Sequence, residues 1–428
     1  MFRWPRMVWT AVALGLLALA AYGRSLGYPF ISDDYIQILF GQEFTGNWSK
    51  LAADPLYRCR ASSLLLTAAT EKLFGLQPVA YHLTSVLLHV VNALLVLGFL
   101  RGLGCRREVA LAAAAFFTVY ESHQEAVIWY AAVPEQLMLA FSLGSLILWR
   151  RWRDQLARSG LCYAASLLLF VIGLFSKESA VLVAPLLLWM AWWQSGRVTR
   201  RDLWAAAPFA ALAVVYTVVI FVARDRHLFF HDGTFTPGFR FLLVLPHSLG
   251  RMMMWWGAAA VLIVGWTRTL RFSLAWMAIV LLPYSFLTYM DRVPSRHRYF
   301  AAVGLSLLIG EALWSLWQRW GARRPWLVPA LASMVAVQNC AYLWTRKHQQ
   351  YLERAAPTEQ LIAHIRSHRG HRGRTWVLKF PYGEMIAHSA VSLMTERDPR
   401  MILVADQADD PGAHKLEWDP RAVRYIID

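Results

Sequence analysis

Two adjacent carboxylates, Asp33 and Asp34, sit in the stretch Tyr28-Pro29-Phe30-Ile31-Ser32-Asp33-Asp34-Tyr35, just after the first long apolar segment. One reading is a helix start, with Ser32 as N-cap and both acids in the first turn, where the helix dipole favours negative charge. The other is a catalytic or metal-binding pair at the mouth of a membrane cavity, and the two readings are compatible. Lys177-Glu178 lies between two apolar runs in Leu174-Phe175-Ser176-Lys177-Glu178-Ser179-Ala180. Charges inside or beside membrane spans are costly, so they usually line a cavity or bind something. The Lys177 ammonium could face a lipid phosphate with Glu178 orienting it; the plainer alternative is a tight turn whose Lys and Glu pair with each other or with solvent.

Arg58-Cys59-Arg60 and Arg296-His297-Arg298 are two further basic clusters. Guanidinium forks suit phosphate capture, although contact with anionic lipid head groups would explain both without chemistry. Glu121-Ser122-His123-Gln124-Glu125 and Glu135 form a third polar group. His123 and Glu125 could ligate a divalent cation, Mg2+ or Mn2+, together with Asp33 or Asp34, or the segment is a solvated loop. His82 and His89, seven apart on one apolar segment, read as hydrogen-bonded packing residues rather than ligands.

The elements that must position these groups are membrane spans. Of 428 residues, 57% are hydrophobic and only 16% charged, against the roughly 25% charged of soluble domains, and mean hydropathy is +0.37. Segments at about 8–22, 81–100, 108–120, 133–149, 160–175, 179–194, 203–223, 249–267, 272–290, 299–317 and 326–344 are apolar. Runs of about 18 or more such residues can cross a bilayer of ~30 Å, so about eleven transmembrane helices are expected. The net charge of +16 comes in short clusters between these segments rather than on one face, which argues against nucleic acid and for membrane topology. The four cysteines, Cys59, Cys105, Cys162 and Cys340, lie too far apart in sequence to suggest a disulfide framework or a zinc site.

The arginine clusters at 101–107, 150–158, 197–201, 268–271 and 319–324 alternate with the segments that hold the unusual polar residues. The positive-inside rule makes the arginine side cytoplasmic, with the N-terminus, and puts Asp33-Asp34, residues 121–135, 176–178, 224–240 and 291–298 outside. The first outer loop, about 24–80, carries Trp48, Leu51, Leu56 and Leu64 among charges, a pattern for short interfacial helices. Another interfacial piece is expected at 239–249, ended by Pro246. Residues 1–344 thus form a transmembrane domain. Residues 345–428 are polar and carry two strand-like runs, at 376–380 and 401–404, with helix before and between them. They predict a small α/β appendage on the outer side, so the expected fold class is an all-α polytopic membrane protein with that appendage.

In order, Phe30-Ile31-Ser32-Asp33-Asp34-Tyr35, Tyr57-Arg58, Leu73-Phe74-Gly75-Leu76 into Tyr81-His82-Leu83-Thr84 and His89, then His123, Glu125-Ala126-Val127 and Trp129, then Leu174 to Ser179, and last Arg298-Tyr299 make a series. Over roughly residues 24–310 this series resembles the GT-C membrane glycosyltransferases, and within them the protein O-mannosyltransferase-like branch and the membrane part of the TMTC proteins. Departures exist: Cys59 stands where a proline usually follows Tyr-Arg, Tyr120-Glu121 where His-Pro is usual, and Ser85 where asparagine is usual. The tetratricopeptide repeats of TMTC proteins are absent from the pattern.

The resemblance implies transfer of a sugar from a polyprenyl-phosphate donor to an acceptor hydroxyl of a protein, lipid or glycan, outside the cytoplasm and with inversion. For that chemistry the residues read above supply Asp33 or Asp34 as base, Lys177, Arg58, Arg298 and Arg296 as phosphate-binding groups, and Glu125, His123, Glu178 and Glu135 as supporting or metal residues. Membrane lipids are further partners, and a bacterial inner membrane is the expected location. A transporter or flippase of lipid-linked sugars, or a non-catalytic membrane scaffold, would share some of these charges. A transporter would commonly show an internal repeat, and a scaffold has no need of Asp33-Asp34 with Lys177.

Overall fold

A computed structural model of the chain describes residues 4–154, 159–223, 235–236, 238–287, 292–370, 373–407 and 414–427. Arg3, Arg158, Asp291 and most of the expected outer segment 224–240 lie outside the described residues.

Helix α1 (Trp4–Tyr22) is followed by the first loop, which folds into α2 (Asp34–Gly46), α3 (Lys50–Ala53) and α4 (Pro55–Phe74). The membrane bundle continues with α5 (Pro78–Gly102), α6 (Arg107–Val119), the short α7 (Gln124–Ile128), α8 (Val133–Arg153), α9 (Ser159–Leu174), α10 (Val183–Ser195) and α11 (Arg200–Val222). It closes with α12 (Phe241–Val264), α13 (Arg268–Leu281), α14 (Ala302–Trp320) and α15 (Leu327–Tyr342). A helix thus occupies each of the eleven apolar segments read from the sequence. Among the described residues, five helical stretches are long and apolar enough to cross a membrane by themselves: Met7–Gly27, Pro78–Gly102, Tyr130–Arg153, Arg200–Val222 and, in one 41-residue run, Leu327–Ser367. The chain is an integral membrane protein.

Local signals set several boundaries. Asp54 caps α4 by accepting the Leu56 amide, and Pro55 opens it. Pro78 opens α5, and Thr199 and Asp202 form a reciprocal capping box at the start of α11. Two boundaries differ from the sequence reading. The piece expected to end at Pro246 instead runs on as α12, and its break falls at Met254, whose φ is 44°. The segment 272–290 stops being α-helical at Leu281 because Pro283 starts a 3-10 turn, Pro283–Phe286.

The bundle core is formed by α14 packed on α6, α12 and α13. Gly310 makes this approach close: a Cβ there would lie 2.4 Å from the Val109 carbonyl oxygen. At Gly304 a Cβ would lie 2.8 Å from the Ser273 carbonyl oxygen.

The C-terminal part begins within a continuous helix. A π-turn, Leu343–Lys347, joins α15 to α16 (His348–Ser367) across the boundary expected at 344/345. Beyond it lie β1 (Thr375–Leu378), α17 (Glu384–Met394), β2 (Ile402–Ala405), β3 (His414–Asp419) and β4 (Arg424–Ile427), in the sheet order β2-β1-β3-β4. Strand β1 pairs in parallel with β2 and β3, while β4 closes the edge antiparallel to β3. The sheet buries Val377, Ile402 and Leu416 against Leu361, Ile365 and Ile386 of α16 and α17, and against Ile36 of α2. The appendage therefore shares its core with the first loop.

Candidate active site

Asp33, Trp129, Lys177 and Arg296, from four of the segments assigned to one side of the membrane, line one cavity of about 390 Å³. Its polar lining includes Asp33, Arg60, Trp129, Glu135, Lys177, Glu178, Arg296 and His297, and its apolar lining includes Leu182, Ile220 and Phe221.

The acidic pair divides. Both oxygens of buried Asp34 are occupied by backbone: Oδ2 accepts the Ile31 amide at 2.8 Å and Oδ1 the Ala131 amide at 2.7 Å. Asp34 thus ties the first loop to the turn that opens α8. Ser32 adopts φ 45°, a left-handed conformation costing a non-glycine residue of order 1 kcal/mol or more, and its hydroxyl has no partner among the described residues. It does not cap α2, and Asp33 occupies the N-cap position without a side-chain capping bond. The turn is held by Asp34 and by Trp129, whose indole N–H donates to the Ile31 carbonyl at 3.1 Å. The result points Asp33 into the cavity. Burial raises its pKa, while the Arg354 and Arg296 cations pull it down. Burial pushes Asp34 up to about 7 against its two amide donors.

Lys177 follows the end of α9, where its amide and that of Ser176 both bond the Gly173 carbonyl. Ser176 is docked on α4 by the Ser62 hydroxyl at 2.6 Å. The buried Lys177 ammonium pairs with Glu135, the second residue after Val133 in α8, and lies 3.2 Å from His297 Nδ1. His297 donates to the same Glu135 oxygen at 2.5 Å and stacks on Tyr284. Burial and the Lys177 cation hold His297 down at about 3, so it is neutral. Glu178 turns the other way and forms two 3.0 Å contacts with Arg60. The residue that orients Lys177 is Glu135, not Glu178.

Several expected site residues lie elsewhere. Arg58 caps the α3 region through the Leu51 and Ala52 carbonyls at 3.0 and 2.8 Å. Arg298 is buried next to Tyr120 and Glu121 rather than in the cavity wall, and its Nε and Nη1 are unpaired among the described residues. His123 sits in an aromatic box of His89, Phe117, Tyr120 and Tyr299. Glu125 accepts the Arg296 amide at 3.1 Å and faces its guanidinium at 3.6 Å. His89 bonds Tyr299 and Thr118, and His82 approaches the Pro29 carbonyl, so both act in packing.

The divalent-cation set read from the sequence is not assembled. Asp34 is spent on backbone amides, Glu125 on Arg296, and His123 lies in its aromatic box, leaving Asp33 near two guanidinium groups that repel a cation. Among the described residues no three His, Cys, Asp or Glu side chains converge as ligands. These residues do not fit a resident metal.

Sequence reasoning named Arg60 and His297 only as members of their basic clusters and gave Trp129 and Arg354 no role. The first two flank chosen residues within the same basic clusters, so chain position alone does not rank them. Arg354 comes from α16 and lies with its guanidinium carbon 3.9 Å from the centre of the Trp129 ring.

No protein-family model matches the chain, and no curated protein matches it. Solved structures do. An oligosaccharyltransferase from Archaeoglobus fulgidus, crystallised with a tethered acceptor peptide containing an NVT sequon, superposes with a TM-score of 0.52 at 12% identity over 94% of this chain. ArnT from Cupriavidus metallidurans, crystallised with undecaprenyl phosphate, superposes with a TM-score of 0.54 at 13% identity over 97% of this chain. The fold is of the GT-C type. The chain spans 65% of the archaeal protein's length and 93% of the bacterial one. At such identity the likeness is one of fold, and the site must be read from this chain's own geometry.

Proposed function

We propose that this protein is an integral-membrane glycosyltransferase. It moves a sugar from a polyprenyl-phosphate donor to an acceptor hydroxyl on the extracytoplasmic face, with the N-terminus cytoplasmic and residues 345–428 outside. The observation that carries the reading is one cavity with a free carboxylate, Asp33, a Lys177–Glu135–His297 cluster and an apolar end along α11.

In this reading the prenyl chain lies along Leu182, Ile220 and Phe221, next to a face of α11 whose Val214, Val215 and Val218 are exposed as lipid-facing residues are. Its phosphate meets Lys177, with Arg60 near. Asp33 takes the proton of the acceptor hydroxyl as that oxygen attacks the anomeric carbon. The bond from the anomeric carbon to the phosphate oxygen breaks, and its electron pair leaves with the polyprenyl phosphate. A single displacement of this kind inverts the anomeric centre. The base contributes typically 10²–10⁴-fold, and preorganised cations near the leaving phosphate stabilise the charge that develops there. Asp34 positions Asp33 rather than reacting, and Arg58, Arg298 and His123 support the fold.

The test uses the full chain in nanodiscs with a panel of polyprenyl-phosphate sugars, followed by thermal protection, since a ligand that binds only the native state raises the melting temperature. Protection by one donor, lost in Lys177→Ala, supports the transferase. Absence of protection by every donor under conditions in which a known GT-C enzyme responds would move the reading to a transporter or scaffold.

A further inference from the structure

Arg354 is an unusual arginine. It lies on α16, in the C-terminal part of the chain, yet its guanidinium rests on Trp129, which lines the cavity. Its guanidinium makes no hydrogen bond or ion pair among the described residues, whereas Lys177 is matched by Glu135, Arg60 by Glu178 and Arg296 by Glu125. A guanidinium carries five N–H donors, and one laid flat on an indole keeps its edge free for a planar or tetrahedral oxyanion.

Its place is fixed from three sides. Tyr382 donates to the Arg354 carbonyl at 2.6 Å, Tyr35 donates to Glu359 at 2.7 Å, and the Tyr28 hydroxyl lies 2.7 Å from His348 Nδ1. The Tyr35 and Tyr28 bonds pin α16, a helix continuous with α15, against the segment that carries Asp33, and the Tyr382 bond ties it to the stretch after β1. Arg296 stands 5.3 Å from the same Trp129 ring. Two guanidinium groups therefore share one indole beside the cavity carboxylate.

We propose that Arg354 and Arg296, organised by Trp129, form a second anion-binding subsite beside Asp33, which takes a phosphate or carboxylate carried by the acceptor. The proposal rests on reading Asp33 as the base toward an acceptor hydroxyl. As Asp33 takes the proton it becomes neutral, and Arg354 loses a counter-charge. An anionic group beside the attacking hydroxyl supplies one. A neutral acceptor would leave that cation uncompensated in a half-buried place. The lipid phosphate of the donor is the other source of such an anion, and the arms of the test separate the two.

The full chain is placed in nanodiscs of neutral phosphatidylcholine. Thermal protection and binding are measured for undecaprenyl phosphate, glucose 6-phosphate and glucose, and for glucose 6-phosphate in the presence of saturating undecaprenyl phosphate. The expected result is that glucose 6-phosphate protects, glucose does not, and the protection persists when undecaprenyl phosphate is bound. Arg354→Met should weaken glucose 6-phosphate binding by about tenfold or more while undecaprenyl phosphate still binds, which also shows that the variant is folded. Lys177→Met should do the reverse. Competition between the two ligands would assign the arginines to the donor phosphate and overturn the proposal. Equal binding of glucose 6-phosphate to the wild type and to Arg354→Met, or none to the wild type, would also overturn it. Failure of undecaprenyl phosphate to bind counts against the glycosyltransferase reading and is read separately from the glucose 6-phosphate arm.

Discussion

Asp34 accepts the Ala131 amide at 2.7 Å, and through that bond the first loop and the turn before α8 are locked so that its neighbour Asp33 alone faces the cavity. Two residues of identical chemistry thus have separate work.

The substitutions should separate them too. Asp33→Asn should cost 10²–10⁴-fold in transfer with little change in melting temperature, because Asp33 makes no capping bond. Asp34→Asn sets an amide N–H2 against one backbone N–H, and should destabilise by about 1–3 kcal/mol. Turnover assays with thermal unfolding of both variants check this. Equal destabilisation by the two would contradict the division of labour.

The Lys177–Glu135 pair offers a double-mutant cycle. Glu135→Gln leaves a buried ammonium without its counter-charge, which should cost about 3–5 kcal/mol of stability. Adding Lys177→Met should recover part of that stability and none of the activity. Glu178→Gln, whose partner is Arg60, should couple weakly to Lys177. Unfolding of the single and double variants measures each coupling.

The pH dependence of transfer has a fixed sign. Burial raises the Asp33 pKa, so the rate of a reaction that needs its carboxylate should fall on the acid side at a pH above the usual aspartate value. Arg354 and Arg296 oppose that rise. Arg354→Met removes a positive charge that favours the carboxylate, so the acid limb should move to higher pH. A limb that stays in place, or moves down, contradicts Asp33 as the base.

Gly310 gives a purely structural prediction. Gly310→Ala places a methyl group 2.4 Å from the Val109 carbonyl oxygen, which forces α6 and α14 apart, and a cost of about 1–3 kcal/mol is expected. Gly15→Ala, with nothing within 4 Å of the added carbon, is the control and should leave the melting temperature unchanged.

Apolar length and arginine placement in the sequence determined the eleven helical segments, because a bilayer imposes length and charge rules that hold segment by segment. The same local rules made β1 and β2 visible as apolar runs, while β3, with His414, Lys415, Glu417 and Asp419, carries too few apolar residues to stand out. The acidic pair, Lys177 and the basic clusters were also legible as residues in need of partners. Which partners they take was decided only by the tertiary structure. Lys177 turns to Glu135, 42 residues away in sequence, instead of adjacent Glu178, and Arg354 reaches Trp129 from the far end of the chain. Such pairings depend on where helices from distant parts of the chain bring side chains together, and burial then decides which charges must be matched and which is left free for a ligand.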